Sequence, residues 1–284
     1  MLTRIILGWI TALFLCLPVV AQETDERERP RSTFYDTYEQ EEWTDRQPAE
    51  LAYVRGADVL WSKRVWQRID VRETMNQPLY FPESPTGNFR SLMQVLMDGI
   101  MAGEIRAYGV DDDHFRGDPL DPQQLFEVDL TRRETFVVEG EEQTVDIPFD
   151  PSDVYIFRVM EEWFIDAQRG QLDVRIIGLS PARFAEDPET GEMTETQDPL
   201  FWVPFEEART TLANAPVHSR RNDAQQISFD DYFIRRFFTA TIYREERPDN
   251  RVILEYVDDP VERLMEAERI KEEIRNKELD LWHY

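Results

Sequence analysis

Residues 88–110 read NFRSLMQVLMDGIMAGEIRAYGV, and two patterns within this stretch decide the fold class. In the first half, apolar residues recur at the i, i+3, i+4, i+7 spacing of one helix face. They are Phe89, Leu92, Met93, Leu96, Met97 and Ile100. Gly103 is placed to end that helix as a C-cap, and Ile105–Val110 has the composition of a strand. A helix joined directly to a strand favours a mixed fold.

Further strand patterns follow this helix along the chain. Four segments show β-branched and aromatic composition or apolar–polar alternation, at 136–138, 145–147, 172–176 and 238–243. The first two flank Glu139-Gly140 as a hairpin. Residues 58–71 fit a helix or a strand, Pro78–Pro82 is predicted to be extended, and residues 183–198 are predicted to form a polar loop. We therefore predict an α+β fold with short antiparallel or mixed sheets and packed helices.

Two segments of the chain resemble each other. Pro78–Pro82, followed by a helix and a strand up to Val110, matches the order of Pro199–Pro204, a helix and a strand up to Tyr243. The match fits a worn internal duplication that gives two similar lobes, or a chance likeness. Both alternatives stay open at the level of sequence.

The C-terminal helix has the clearest start. Asp259 is a predicted N-cap, with Pro260 at N1 and Glu262 at N3. The apolar residues that follow form one narrow seam of a long helix: Ala267, Ile270, Ile274 and Leu281. Such a seam packs on its own domain or on another chain. The candidate partner-docking residues at this end are Ile270, Ile274, Leu281 and Trp282.

The first 21 residues have the pattern of a cleavable secretory signal peptide. Arg4 is the one charge before residue 23, and Ile5–Leu17 is an uncharged apolar run too short to span a bilayer. Cleavage is expected after Ala21. The alternatives are a retained anchor helix or a lipid at Cys16, although the large Leu15 does not fit a lipid site. Cleavage would remove the only cysteine, so the mature chain would form no disulfide.

Residues 22–50 form a predicted mobile acidic tail. They are rich in charged and polar residues and have no apolar period. Such a composition cannot offset the entropy that ordering costs. Tyr35, Tyr38 and Trp43 lie within the tail as candidate docking anchors. Residues 51–284 are the predicted globular domain.

The chain is strongly acidic. It has 58 acidic against 32 basic residues, a net charge of −26. A field of this sign repels nucleic acid and anionic membrane surfaces, so we expect neither as a partner and no direct membrane insertion. The acidity fits a host that lives in high salt or a surface that meets a basic partner.

The sequence carries no recognised catalytic motif. Its histidines, His114, His218 and His283, are far apart, and zinc-helix, nucleophile-elbow and phosphate-loop patterns are missing. Asp111–His114 groups three acids with a histidine, but it lacks the alternating acids and central glycine of a calcium loop. We predict no enzyme and no catalytic, cofactor or metal residues. One alternative is a secreted carboxylate-based hydrolase at the cell surface, with two converging acids in a cleft. Another is a calcium-stabilised extracellular module.

Four blocks of residues, in order along the chain, resemble the gliding motility protein GldN family, also called PorN. They read WSKRVWQRIDVRE (61–73) with NQPLY (76–80), EWFID (162–166) with DVRIIG (173–178), NDAQ (222–225) with SFDD (228–231) and RFF (236–238), and EAERIK (266–271) with DLW (280–282). The likeness runs from about residue 58 to 284. The acidity, the polar loops near 111–150 and 183–198, and the 22–50 tail depart from the family pattern.

This resemblance implies a non-catalytic subunit of the type IX secretion and gliding motility machinery. Members of the family form a periplasmic ring with an outer-membrane lipoprotein, GldK or PorK, and contact the motor protein GldM or PorM. We therefore expect a periplasmic protein, peripheral to the outer membrane, that self-associates in a ring. The family has no catalytic residues to carry over.

Overall fold

One six-stranded antiparallel sheet organises the fold. The computed structural model describes residues 45–138, 141–186, 193–218, 227–249 and 251–281. The strands, in chain order, are β1 (Val59–Asp70), β2 (Arg132–Val138), β3 (Glu141–Ile147), β4 (Ile156–Asp166), β5 (Gln171–Glu186), β6 (Met193–Pro199), β7 (Val203–Pro204), β8 (Pro216–Val217), β9 (Ile227–Ser228) and β10 (Thr241–Glu245).

The order of strands in the main sheet is β10-β1-β4-β5-β6, with β7 also paired to β5. Strands β2 and β3 form the predicted hairpin, and β8 pairs with β9. The segment 58–71, which fitted helix or strand, is strand β1. The predicted loop at 183–198 is wrong at its ends, because β5 continues to Glu186 and pairs with β6. The backbone of these residues pairs into strands despite their polar composition. Polar side chains are compatible with strands near a sheet edge.

The helices are α1 (Gln77–Tyr80), α2 (Leu92–Met101), α3 (Pro122–Gln124), α4 (Phe205–Ala213), α5 (Phe229–Ile234) and α6 (Pro260–Leu281). Helix α2 confirms the helix predicted at the start, and a capping box of Ser91 with Gln94 begins it. Helix α1 contradicts the prediction of an extended Pro78–Pro82, because proline is tolerated in the first turn of a helix. The predicted strand at 105–110 reduces to a single bridge between Tyr108 and Trp202.

The main core lies between the sheet and the short helices. Helix α2 packs on α4, and α4 packs on α5 and β5. Fully buried side chains from these elements meet in one cluster, among them Leu96, Ile100, Leu179, Phe205, Phe229 and Phe233. The two segments that resemble each other in sequence contribute to this same cluster, and Tyr108 and Trp202 exchange two backbone hydrogen bonds. They therefore build one core and not separate lobes.

Helix α6 packs on the other end of the sheet order, against β10. Asp259 accepts hydrogen bonds from the backbone N–H groups of Val261 and Glu262, as predicted for an N-cap. The fold is thus α+β with antiparallel sheets and a long C-terminal helix, as the sequence predicts. Across the residues that the structure describes, none of the helices has the length and apolar character needed to cross a bilayer.

Candidate partner-binding surface

The predicted docking residues at the C-terminal end fall into two groups. Ile270 and Ile274 are buried, and with Ala267 they pack on Val65 and Ile242 of the sheet. Their seam therefore packs on its own domain, which was one of the two alternatives. Helix α6 ends at Leu281, of whose side chain nothing is described. The remaining docking residues, Trp282, Tyr35, Tyr38 and Trp43, lie outside the described residues.

The outer face of α6 near its start is apolar and exposed. Val261, Leu264 and Met265 keep 64%, 54% and 67% of their surface in solvent. Leu254, in the short turn before the helix, is 56% exposed. A group of exposed apolar side chains in one place is typical of a protein-interaction surface.

A cavity of about 620 Å³ lies beside this apolar face. Four arginines line it: Arg68 from β1, Arg72 just after β1, Arg158 from β4 and Arg263 from α6. No aspartate or glutamate is among its described lining residues. In a chain with 58 acids this is a local reversal of charge. We call this feature the arginine cavity.

Strand register brings two of these arginines face to face. Arg68 of β1 pairs directly with Arg158 of β4, and Thr241 of β10 lies opposite Arg68 on the other side. Like charges directly opposite each other in a sheet are destabilising. Arg158 donates one hydrogen bond to the carbonyl oxygen of Gln197 at 2.9 Å. Within the described ranges, the Arg68 side chain makes no hydrogen bond or ion pair, although its charge acts on the nearby carboxylate of Asp70.

Burial leaves donors of the arginine cavity unpaired. The Nε atoms of Arg158 and Arg263 are buried and make no hydrogen bond to any described residue. Burial lowers the pKa of Arg158, and this effect outweighs the opposite influences of Tyr243 and of the nearby carboxylate of Asp198. Arginine nevertheless stays protonated at neutral pH. The positive charge of the four arginines that line it makes this cavity favour an anionic ligand.

Arg72 is the arginine of this cavity that already has an acid partner. It donates to Asp70, with 2.9 Å between Nε and Oδ1 and 2.6 Å between Nη2 and Oδ2. Burial alone would raise the pKa of Asp70, but the hydrogen bonds from Arg72 outweigh it and the pKa is lowered. The guanidinium of Arg72 also lies 4.5 Å from the ring centre of Phe184, another residue of the cavity wall.

A second cavity, of about 600 Å³, lies near the start of β1 and is lined by Glu50, Glu162 and Glu206. We call it the glutamate cavity. Its two arginines, Arg175 and Arg209, are both engaged. Arg209 forms a buried ion pair with Asp230 at 2.9 Å and donates to the carbonyl oxygen of Ala49. Arg175 donates to the carbonyl oxygen of Ala52.

These contacts tie down residues that immediately precede the globular domain. The side chain of Asn214 accepts from the backbone N–H of Arg46 at 2.8 Å and donates to its carbonyl oxygen at 3.2 Å. The last residues of the predicted 22–50 tail thus form hydrogen bonds with the C-terminal part of α4 and the residue after it. The rest of that tail lies outside the described residues.

One buried acid has the raised pKa that a catalytic acid would need. Burial raises the pKa of Glu161, against the opposing effect of Arg236. Glu161 accepts hydrogen bonds from Gln67 at 2.6 Å, Trp163 at 3.0 Å and Arg236 at 2.5 Å. It is fully buried and lines neither of the two cavities above. These contacts join β1, β4 and the segment after α5, which favours a structural role over a hydrolytic one.

The acidic cluster at 111–114 makes contacts within its own loop and with strand β10. Asp112 accepts hydrogen bonds from the backbone N–H groups of Arg116 at 2.9 Å and Gly117 at 2.7 Å, and these bonds lower its pKa. Asp113 pairs with Arg244 of β10. The residues that the structure describes contain no group of three acids, histidines or cysteines that could hold a metal ion.

The arginine cavity is not predicted by the sequence patterns. Arg64, Arg68 and Arg72 recur every fourth residue, a spacing that places side chains on one face of a strand. The spacing alone therefore predicts a row of arginines on one face of this segment. The position of Arg158 opposite Arg68 depends on strand register, which local patterns do not give.

Comparison with known proteins identifies one family. The family model described as gliding motility associated protein GldN matches residues 54–283, almost the whole chain. No curated protein matches the chain. The matched range includes the sheet, the arginine cavity and helix α6.

Proposed function

The chain belongs to the GldN family of gliding motility associated proteins, and from this membership we propose that it is a non-catalytic structural subunit of the type IX secretion and gliding motility machinery. Membership itself links the chain to gliding motility and type IX secretion. The match over residues 54–283 is the observation that carries the proposal.

The proposed location is the periplasm, peripheral to the outer membrane, after cleavage near Ala21. An uncharged apolar run at Ile5–Leu17 behind Arg4 supports export, because this is the pattern of a signal peptide. Detection of Met1 on the protein recovered from the cell envelope would contradict this location.

The proposed partners are an outer-membrane lipoprotein of the GldK or PorK type, the periplasmic part of GldM or PorM, and further copies of the chain in a ring. The exposed apolar face of α6 supports assembly with other chains, since it offers Val261, Leu264 and Met265 to solvent. Protein interfaces are enriched in methionine and arginine, and the arginine cavity lies directly beside this face.

A pull-down from envelope extracts tests the proposal. The tagged wild-type chain should recover the ring lipoprotein and the motor protein, identified by mass spectrometry. Combining Leu264→Glu with Met265→Glu should reduce that recovery. Leu60→Glu, at a position in β1 that is 63% exposed, is the matched control and should leave recovery unchanged. If the wild-type chain recovers neither the lipoprotein nor the motor protein, the proposal is wrong.

A further inference from the structure

We propose that the arginine cavity binds an acidic peptide segment of another protein chain. The inference rests on the proposed function in one respect, that this chain assembles with other proteins. It adds the chemical class of the segment that is bound and the residues that bind it.

The first step is the unsatisfied positive charge. Arg68 and Arg158 lie directly opposite each other, and the buried Nε atoms of Arg158 and Arg263 lack hydrogen-bond acceptors in the described part of the chain. Carboxylates pair with guanidinium groups through charge-assisted hydrogen bonds, which are stronger than neutral ones. An incoming carboxylate would therefore relieve the repulsion and accept hydrogen bonds from the guanidinium groups that line the cavity.

The second step is the mixed character of the wall. Besides its arginines, the cavity is lined by Ile242, Val252, Leu254 and Leu264. Leu254 and Leu264 are more than half exposed, and the apolar surface continues along α6 to Met265. A bare anion would leave these side chains in water. A peptide that alternates acidic and apolar residues covers them while it neutralises the arginines.

The third step is the position of the cavity beside the edge of the sheet. Strand β10 is the end strand of the main sheet, and its residues Thr241, Ile242 and Tyr243 line the cavity. On the side away from β1, the described residues pair with β10 only through the bridge between Arg244 and Val252. An edge strand next to side-chain pockets is the arrangement by which extended peptides are bound.

The surrounding charge gives this site its selectivity. The chain carries a net charge of −26, so an acidic segment is repelled by most of the surface. A local group of four arginines is where it can be accepted. Complementary charge of this kind fixes where a partner binds.

Fluorescence anisotropy with the purified chain tests this inference. The probe is a labelled peptide of sequence Glu-Phe-Asp-Glu-Leu-Glu, and its partner is the amide version Gln-Phe-Asn-Gln-Leu-Gln. We expect the acidic peptide to bind at least about tenfold more tightly, because its carboxylates pair with the guanidinium groups. Arg68→Gln and Arg263→Gln should each weaken its binding severalfold. Arg275→Gln, on the same helix as Arg263 and 66% exposed, is the matched control and should bind like wild type.

Three results would overturn the inference. They are equal binding of the two peptides, wild-type binding by both Arg68→Gln and Arg263→Gln, and arginine-dependent binding to phosphatidylglycerol vesicles without peptide binding. Circular dichroism melts of each variant separate lost binding from lost folding. The peptide assay contains no component of the secretion machinery, so its failure is distinct from a failed pull-down.

Discussion

The two cavities contain the same kind of cation in opposite circumstances. In the glutamate cavity, Arg209 and Arg175 are held by Asp230 and by the carbonyl oxygens of Ala49 and Ala52. In the arginine cavity, Arg68 and Arg158 oppose each other, and the wall carries no acid among its described residues. The first arrangement uses its charges internally to hold the fold together. The second leaves charge available to another molecule.

The largest expected effect in this comparison is that of Asp230→Ala. The variant leaves Arg209, whose side chain is 5% exposed, as an unpaired buried charge. We expect the free energy of unfolding to fall by about 3–5 kcal/mol in urea denaturation. Replacing both residues, Arg209→Met with Asp230→Leu, should recover most of that loss because no unpaired charge remains. A loss below about 1 kcal/mol for the single variant would mean that the ion pair does not stabilise this region.

A smaller effect of opposite sign is expected at the arginine cavity. Arg68→Gln removes one of two opposed like charges, so the free energy of unfolding should rise by roughly 0.2–1 kcal/mol at low salt. Arg64→Gln is the matched control on the same strand. Arg64 contacts His114 at 3.2 Å and lies 3.9 Å from Glu162, so its loss should leave stability unchanged or slightly lower. Destabilisation by Arg68→Gln would show that its charge is satisfied within the fold.

The smallest effect concerns Asp70, the acid partner of Arg72, which lies outside the lining of the arginine cavity. Because the pKa of folded Asp70 is lowered, its stabilising effect is present above the unfolded pKa and is lost as the pH falls through the folded pKa. At neutral pH the free energy of unfolding of wild type should exceed that of Asp70→Asn by roughly 0.3 kcal/mol. The difference is small because Arg72 is largely exposed and solvent screens the ion pair. The difference should shrink as the pH falls below the ordinary pKa range of an aspartate. Asp118→Asn, at an exposed position, controls for the loss of one negative charge. A difference that grows on acidification would contradict the assigned pairing.

The features that the sequence predicted correctly are local. Helix α2 and the N-cap at Asp259 depend on residues within one or two turns. The apolar seam of α6 is also predicted by the sequence. The sequence does not predict that this seam packs on the sheet and not on another chain. Such features follow from spacing and capping alone.

The arginine cavity could not be predicted in the same way. It combines residues from β1, β4 and α6, which meet only after strand pairing and helix docking. The pairing of Arg68 with Arg158 depends on register, and a shift by one residue would place them on opposite faces. From its sequence alone, segment 58–71 fits a helix as well as a strand. The wrong prediction at Pro78–Pro82 has a similar origin, since packing against α2 favours the helical turn of α1.

The central claim is that the arginine cavity and the adjoining face of α6 contact partners, whereas the glutamate cavity stabilises the fold. Thiol labelling of single-cysteine variants tests this claim most directly. Leu264→Cys reports on the arginine cavity, and Tyr53→Cys, at a residue that is 88% exposed, reports on the glutamate cavity. The natural Cys16 lies in the segment expected to be removed. We predict that both variants react equally fast with a maleimide in the isolated protein. In the assembled envelope complex, only the cysteine at position 264 should become protected. Equal labelling rates of the cysteine at position 264 in the isolated protein and in the assembled complex would contradict the account.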